Sequence, residues 1–324
     1  MVVLHLDTPR ADRRPDGTGD RESRWTCALV NNMPDTAFVS TEDQFLDLLD
    51  IGSGDRGVDV RLYTMGGLTR SEATARHIAG RYTPLDELFD RAPQMLIVTG
   101  ANPVESELHK EPFWPDMVHV LNWASRNVPS VVLSCLAAHA ALTVFDGIER
   151  RRLPAKCTGL FAQQVDPGDP LADSLGRSVV LPHSRLNDVP TATIRAAGYD
   201  VALCSEEAGW SVASRRVESA TVVLLQSHPE YGPTSLLREY QRDVRRYVKH
   251  ERDEPPVLPR HCTAPPDTPS IEDLHRRLTG GERRPELVEA FPFEAVGARV
   301  PWAWRTAAIG LYTHWLAAVA ERIP

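Results

Sequence analysis

An apolar, β-branched run that stops at a cysteine and continues as an alanine-rich run constrains this chain more than any other stretch: Val131-Val-Leu-Ser-Cys135-Leu-Ala-Ala-His-Ala-Ala-Leu142. The pattern reads as a buried strand, a sharp turn and a helix, with Cys135 at the turn. A cysteine there holds its sulfur near the free N–H groups of a helix N-terminus, which favour the thiolate. A nucleophile elbow is built in this way. Most free cysteines are simply small buried hydrophobes, so the segment alone leaves both readings open.

The 324 residues, 42% hydrophobic and 25% charged, suit a globular protein with one large core or two domains. A net charge of -8 argues against a nucleic-acid partner, while leaving room for a local basic pocket. No stretch reaches eighteen clean apolar residues, so no membrane span is expected. The start, MVVLHLDTPR, turns polar at once and does not read as a signal peptide. The five cysteines, Cys27, Cys135, Cys157, Cys204 and Cys262, are odd in number, widely spaced and free of CxxC or Cys/His pairing. Disulfides and a zinc site are therefore not expected, and a reducing cytoplasm is the natural location.

Residues 8–24, charged and rich in Pro and Gly, read as part of a flexible N-terminal arm spanning 1–24. From Thr26 to about residue 145, strands alternate with helices through short connections. Strands are expected at 26–33, 59–65, 93–100 and 130–135, and helices at 41–50 and 113–126. That order predicts an α/β fold of three layers, a mostly parallel sheet flanked by helices. Further on, 153–164, 176–182, 201–205, 210–214 and 221–228 read as strands, with a long helix at 234–250. The segment 253–287, crowded with prolines and charges, reads as a surface insertion or lid within a single domain spanning 25–324. Val300 to Ile323 reads as a last apolar helix, with Trp302, Trp304 and Trp315.

An open parallel sheet places its site beyond the carboxyl ends of its strands. Cys135 sits at such an end, and so does His228 after Thr221-Val-Val-Leu-Leu-Gln-Ser227. Glu230 lies two residues on, spaced to orient an imidazole. Cysteine, histidine and glutamate make a nucleophile, a base and an orienting group. An ordinary thiol, with a pKa of about 8.5, is only a few per cent thiolate at neutral pH, so it needs such help. His139, at i+4 from Cys135, is the rival base, although a side chain below the elbow usually faces the core. A His-Pro-Glu after a strand is, by itself, more often a turn than a site.

Taken together these features are similar to the class I glutamine amidotransferase fold (flavodoxin-like, with a nucleophile elbow). An ordered set of further matches resembles its homoserine O-acyltransferase branch, the homoserine O-succinyltransferase family. The pieces are Asn32-Met-Pro34, Thr41-Glu-Asp-Gln-Phe-Leu46, Ile97-Val-Thr-Gly-Ala101, Phe113-Trp-Pro115 with Trp123, Lys156-Cys-Thr-Gly159, Pro182-His-Ser-Arg185, Ser205-Glu-Glu-Ala-Gly209, His228-Pro-Glu-Tyr231, Glu239-Tyr-Gln-Arg-Asp243, and Trp304-Arg305 with Trp315. The resemblance implies ping-pong acyl transfer, with acyl-CoA as co-substrate, no bound cofactor and no metal. Cys135 would take the acyl group, and His228, oriented by Glu230, would deprotonate the hydroxyl of a small hydroxy amino acid. The oxyanion hole would use the N–H of Leu136 and a second donor from the Gly100-Ala101 turn. Lys156, Ser184, Arg185 and Arg242 match positions that the family uses around its substrates, and Arg242 suits a carboxylate. Alone, each reads as a surface or helix-pairing residue. Glu207 reads as a turn carboxylate with a second option as an ammonium receptor, and Trp304 as packing. A homodimer would suit the family.

The chain also departs from the pattern. Known members follow Met-Pro with a lysine pair; here Asp35-Thr36 stand in that place. In the family, a glycine in the loop after Gly-Ala goes with succinyl transfer and a glutamate with acetyl transfer. Counting places Val104 there, with Glu105 adjacent, and a valine would narrow the pocket, which favours acetyl. Arg305 and the 253–287 insertion leave serine open as an acceptor beside homoserine. A glutaminase is disfavoured because Ser134 and Leu136 crowd Cys135 where that class wants glycines. A non-catalytic metabolite-binding relative is disfavoured by the retained Cys, His and Glu.

Overall fold

In the computed structural model, which describes residues 25–105, 107–264 and 267–322, the apolar runs form nine strands. They are β1 (Trp25–Asn32), β2 (Val58–Tyr63), β3 (Met95–Ala101), β4 (Ser130–Ser134), β5 (Arg151–Val165), β6 (Ser178–Asp188), β7 (Asp200–Ser205), β8 (Gly209–Val217) and β9 (Ala220–Leu225). All join one sheet in the order β2-β1-β3-β4-β9-β8-β7-β5-β6. The proposed N-terminal arm, 1–24, lies outside the described residues.

Pairing is parallel from β2 through β1, β3 and β4 to β9. It is antiparallel from β9 through β8, β7 and β5 to β6. The parallel sheet expected from the sequence is thus the half that contains Cys135. The change of sense has a local cause: a short turn such as 206–208 can join only antiparallel neighbours, whereas parallel strands need a helical crossover.

Those helices are α1 (Asp35–Ser53), α2 (Glu72–Arg81), α3 (Glu87–Asp90), α4 (Trp114–Asn127), α5 (Leu136–Asp146) and α6 (Thr191–Ala196). After the sheet come α7 (Ser235–Val248), α8 (Thr268–Thr279), α9 (Glu286–Glu289), α10 (Phe293–Gly297) and α11 (Arg305–Ala320). Alternate strand residues enter two separate cores. Val30, Val98, Leu133 and Leu224 pack with α4 and α5 on one face. Leu29, Ile97, Val132 and Val223 pack with α1, α7 and α11 on the other. With both faces covered, the central strands read as unbroken apolar runs rather than alternating ones.

The segment 253–287 departs from its reading as a surface insertion. It contains α8, whose Ile271, Leu274 and Leu278 are buried in the same core as α7 and α11. Their i, i+3, i+7 spacing is a helical stripe that the surrounding charges and prolines obscure. The segment is pinned to β5 as well. The Leu160 N–H donates to the Arg260 carbonyl at 2.9 Å, and the Arg260 N–H to the Thr158 carbonyl at 3.0 Å. Gly159, at φ +143°, permits this approach: a Cβ there would lie 2.6 Å from the Arg260 nitrogen.

The last helix begins at Arg305 rather than at Val300, because Pro301 keeps the residue before it out of the helical region. Ile323, the end of the expected span, lies outside the described residues. Among the described residues no helix is long and apolar enough to cross a membrane.

Candidate active site

β4 ends at Ser134 and α5 starts at Leu136, so Cys135 alone makes the turn, at φ +53° and ψ -108°. A non-glycine residue held there costs on the order of 1–3 kcal/mol, which the packed strand and helix on either side sustain. The Cys135 N–H is fixed to the Leu225 carbonyl of β9 at 2.7 Å. Gly100, at the end of β3, lets the neighbouring strand close in. A Cβ at 100 would stand 3.3 Å from the Leu136 nitrogen. Leu136 N–H opens α5 and has no intrahelical partner. It and Ala101 border the same cavity as Cys135.

His228 follows β9 and is fixed by its own N–H, which donates to the Pro182 carbonyl at 2.8 Å. Its Nδ1 meets Glu230 Oε1 at 2.7 Å, and its ring stacks on Tyr231 at 4.2 Å between centroids. Both His228 and Glu230 are buried. His228 Nε2 has no hydrogen-bond partner among the described residues. Burial alone would lower the imidazole pKa. The Glu230 carboxylate, and after it the charge of Cys135, outweigh burial and hold the ring well above its ordinary value.

His139, the rival base, is buried with its Nε2 at 2.9 Å from Gln226 Oε1. Burial pushes its pKa down to about 4, and its ring is held by the neutral Gln226 amide rather than hydrogen-bonded to a carboxylate among the described residues.

Lys156, Ser184 and Arg242 come from β5, β6 and α7 to one wall of the cavity. They meet around two α7 carboxylates. Lys156 Nζ lies 2.8 Å from Glu239 and 3.2 Å from Asp243. The Ser184 hydroxyl also donates to Glu239, and so does the Tyr231 hydroxyl, at 2.5 Å. Burial would raise the Glu239 pKa, but Lys156 and these hydroxyls bring it down to about 2. Arg242 pairs with Asp243 at 2.9 Å and stays partly exposed to the cavity. Glu239 was not singled out by the sequence reading. The available signal was the i, i+3, i+4 spacing of Glu239, Arg242 and Asp243, which places all three on one helix face.

Arg185 borders the cavity too, but its guanidinium is turned inward, to Asp188 at 3.0 Å and the Ala208 carbonyl at 2.6 Å. Val104 and Glu105 do not border it. Val104 is 80% exposed, and the wall is made by Ala101, Asn102 and Pro103 instead. The buried Glu111 carboxylate accepts the Glu105 N–H at 2.6 Å, which turns the loop outward after Pro103. The expected narrowing of the acyl pocket by a valine is therefore absent at this position. Glu207 pairs with Arg260 away from the cavity, Trp304 packs with its indole N–H on the Tyr231 carbonyl, and Arg305 ties α11 to Asp47 of α1 at 2.6 Å. Asp35 turns to the Ser71 N–H at 2.6 Å, while Met33, Pro34 and Thr36 line the cavity.

The cavity encloses about 940 Å³. Toward its outer end stand Arg152, Arg238, Arg245, Arg246 and Lys249, none ion-paired with a described residue. In a chain of net charge -8, this is a local concentration of positive potential.

Fold and site together define a class: α/β proteins with a thiol, an imidazole and a carboxylate gathered beyond the carboxyl ends of a parallel sheet. Residues 19–324 match the homoserine O-succinyltransferase family model. The chain belongs to that family, the one its ordered motifs resemble, and is an O-acyltransferase. It is 38% identical to the homoserine O-succinyltransferase of Methylorubrum extorquens, over 93% of this chain and 89% of that protein. Its identity to the Bradyrhizobium japonicum homoserine O-succinyltransferase is 36%, over 99% and 100% of the two chains. Among solved structures it is similar to a glutamine amidotransferase from Thermotoga maritima, at 12% identity and a TM-score of 0.49, over 92% and 99% of the two. A likeness of that degree assigns no activity.

Proposed function

We propose that the protein moves a succinyl group from succinyl-CoA to the hydroxyl of homoserine by way of an acyl-cysteine. The observation that carries this reading is Cys135 at its elbow, beside a buried His228–Glu230 pair and the Leu136 N–H that opens α5, on one cavity. In the first half-reaction the Cys135 thiolate attacks the thioester carbonyl. The carbonyl oxygen takes up negative charge against the Leu136 N–H and a donor at Ala101. The C–S bond to CoA then breaks, and the departing thiolate takes the proton held on His228. In the second half-reaction His228 removes the hydroxyl proton of the acceptor. The oxygen attacks the acyl-cysteine, and the Cys135 thiolate is released with the ester product. Glu230 holds the ring and stabilises its charged form.

The wider cavity fits the two substrates. The outer cations suit the phosphates of CoA, and Arg242 offers a fork of donors to an amino-acid carboxylate. The names of the relatives favour succinyl as donor, and the outward turn of Val104 removes the reason for expecting acetyl. The family favours homoserine as acceptor and disfavours a glutaminase or a non-catalytic binder.

The test is to incubate the protein with succinyl-CoA or acetyl-CoA, and then to offer homoserine, serine and related acceptors. The expected result is a succinyl mass on Cys135 that homoserine discharges. An acetyl adduct alone, or discharge by serine alone, would reassign donor or acceptor. No adduct with either donor would sink the acyl-cysteine.

A further inference from the structure

The acyl group on Cys135 has to be distinguished from shorter ones by the cavity wall, and Val104 does not reach that wall. The Arg150 guanidinium does, and its field reaches Cys135. Arg150, between α5 and β5, borders the same cavity as Cys135 and is partly buried. It forms no ion pair or hydrogen bond with any described residue. Two carboxylates lie within range of its field, Glu111 and Glu149, but neither pairs with it, and Glu111 is already engaged by the Glu105 N–H. Burial lowers the Arg150 pKa despite Cys135, Glu111 and Glu149. A guanidinium so placed has lost water without gaining a partner, and an anionic ligand would supply one.

The chemistry of the substrates narrows the choice of anion. The CoA phosphates are separated from the thioester by the length of the pantetheine arm, so a cation close enough to feel Cys135 does not meet them. The acceptor carboxylate has Arg242, on α7, beside Lys156 and Ser184. What remains is a carboxylate at the far end of the acyl group itself, a few bonds from the Cys135 sulfur.

We propose that Arg150 binds the terminal carboxylate of a dicarboxylic acyl group of succinyl type, and that it thereby sets donor specificity. The proposal rests on the acyl-cysteine reading above. An acetyl group leaves the guanidinium unpaired, and a site built for a charged group discriminates strongly against an analogue that lacks it.

The experiment compares the unmodified protein with Arg150→Gln and Arg150→Lys, using succinyl-CoA and acetyl-CoA with homoserine as acceptor. The quantity read is the ratio of kcat/KM for the two donors. In Arg150→Gln this ratio should fall by roughly 10- to 100-fold toward acetyl-CoA, the range of a charge-assisted hydrogen bond. Most of the loss should lie in KM for succinyl-CoA, and Arg150→Lys should restore part of it. Turnover with acetyl-CoA reports that the variants are folded. An unchanged ratio, equal loss with both donors in both variants, or an unmodified protein that prefers acetyl-CoA would overturn the proposal. Absence of any acyl mass on Cys135 in the unmodified protein would instead overturn the reading on which it rests.

Discussion

At the scale of single residues, the site depends on groups that the backbone holds in place. Cys135 sits at a positive φ with its amide tied to β9, and His228 is fixed by its own amide on β6. Cys135→Ala should therefore remove the acyl mass and reduce turnover by about four orders of magnitude or more, with the melting temperature little altered. Glu230→Gln takes away the charge that holds the His228 pKa up. The imidazole titration, followed by NMR, should then move to lower pH; an unmoved titration would refute the role given to Glu230. Glu239 makes a prediction about stability. Its pKa in the folded protein is brought down to about 2 from the ordinary glutamate value of 4.5. Its contribution is thus complete above about pH 4.5 and is lost as pH falls toward 2. Glu239→Gln should flatten the fall of stability across that window, removing a term on the order of 3 kcal/mol that is read from denaturant unfolding at each pH. Cys135, His228 and Glu230 were legible in the sequence because each lies within a few residues of an apolar strand's end. The outward turn of Val104 was not, since it depends on a buried Glu111 several residues away capturing the Glu105 amide.

At the scale of elements, the parallel half of the sheet was readable from its period of strands and helices. The segment 253–287 was not. Its helical stripe has only three apolar positions, and its burial depends on a site prepared elsewhere: Gly159 on β5, and the α7 and α11 faces. Leu278→Ala should cost about 2–5 kcal/mol in denaturant unfolding, the range for a core leucine. A surface insertion would lose less than about 0.5 kcal/mol. The same view explains why Arg305, a candidate for the acceptor pocket, proves to be a link between α11 and α1.

At the scale of the whole molecule, an acidic chain presents a basic cavity mouth. Arg245, Arg246 and Lys249 lie on the exposed side of α7's last turns and beyond, where the sequence alone suggests a solvated face. Only the cavity beneath them gives that charge a direction. Raising the ionic strength should raise KM for the acyl-CoA donor, because exposed charges are screened. Arg246→Glu with Lys249→Glu should raise it about tenfold, with the larger part of the effect in KM rather than kcat. The sequence by itself determined the elbow, the strand ends that bear Cys135 and His228, and the family to which the ordered motifs belong. Those properties are local: periodicity, turn chemistry and spacing act over a few residues. The tertiary structure alone decided which charges meet. It gathered Lys156, Ser184 and Glu239 from three elements, turned Arg185 and Arg305 to structural partners, and left Arg150 without one. Such pairings depend on distances across the fold, to which local patterns in the chain are blind.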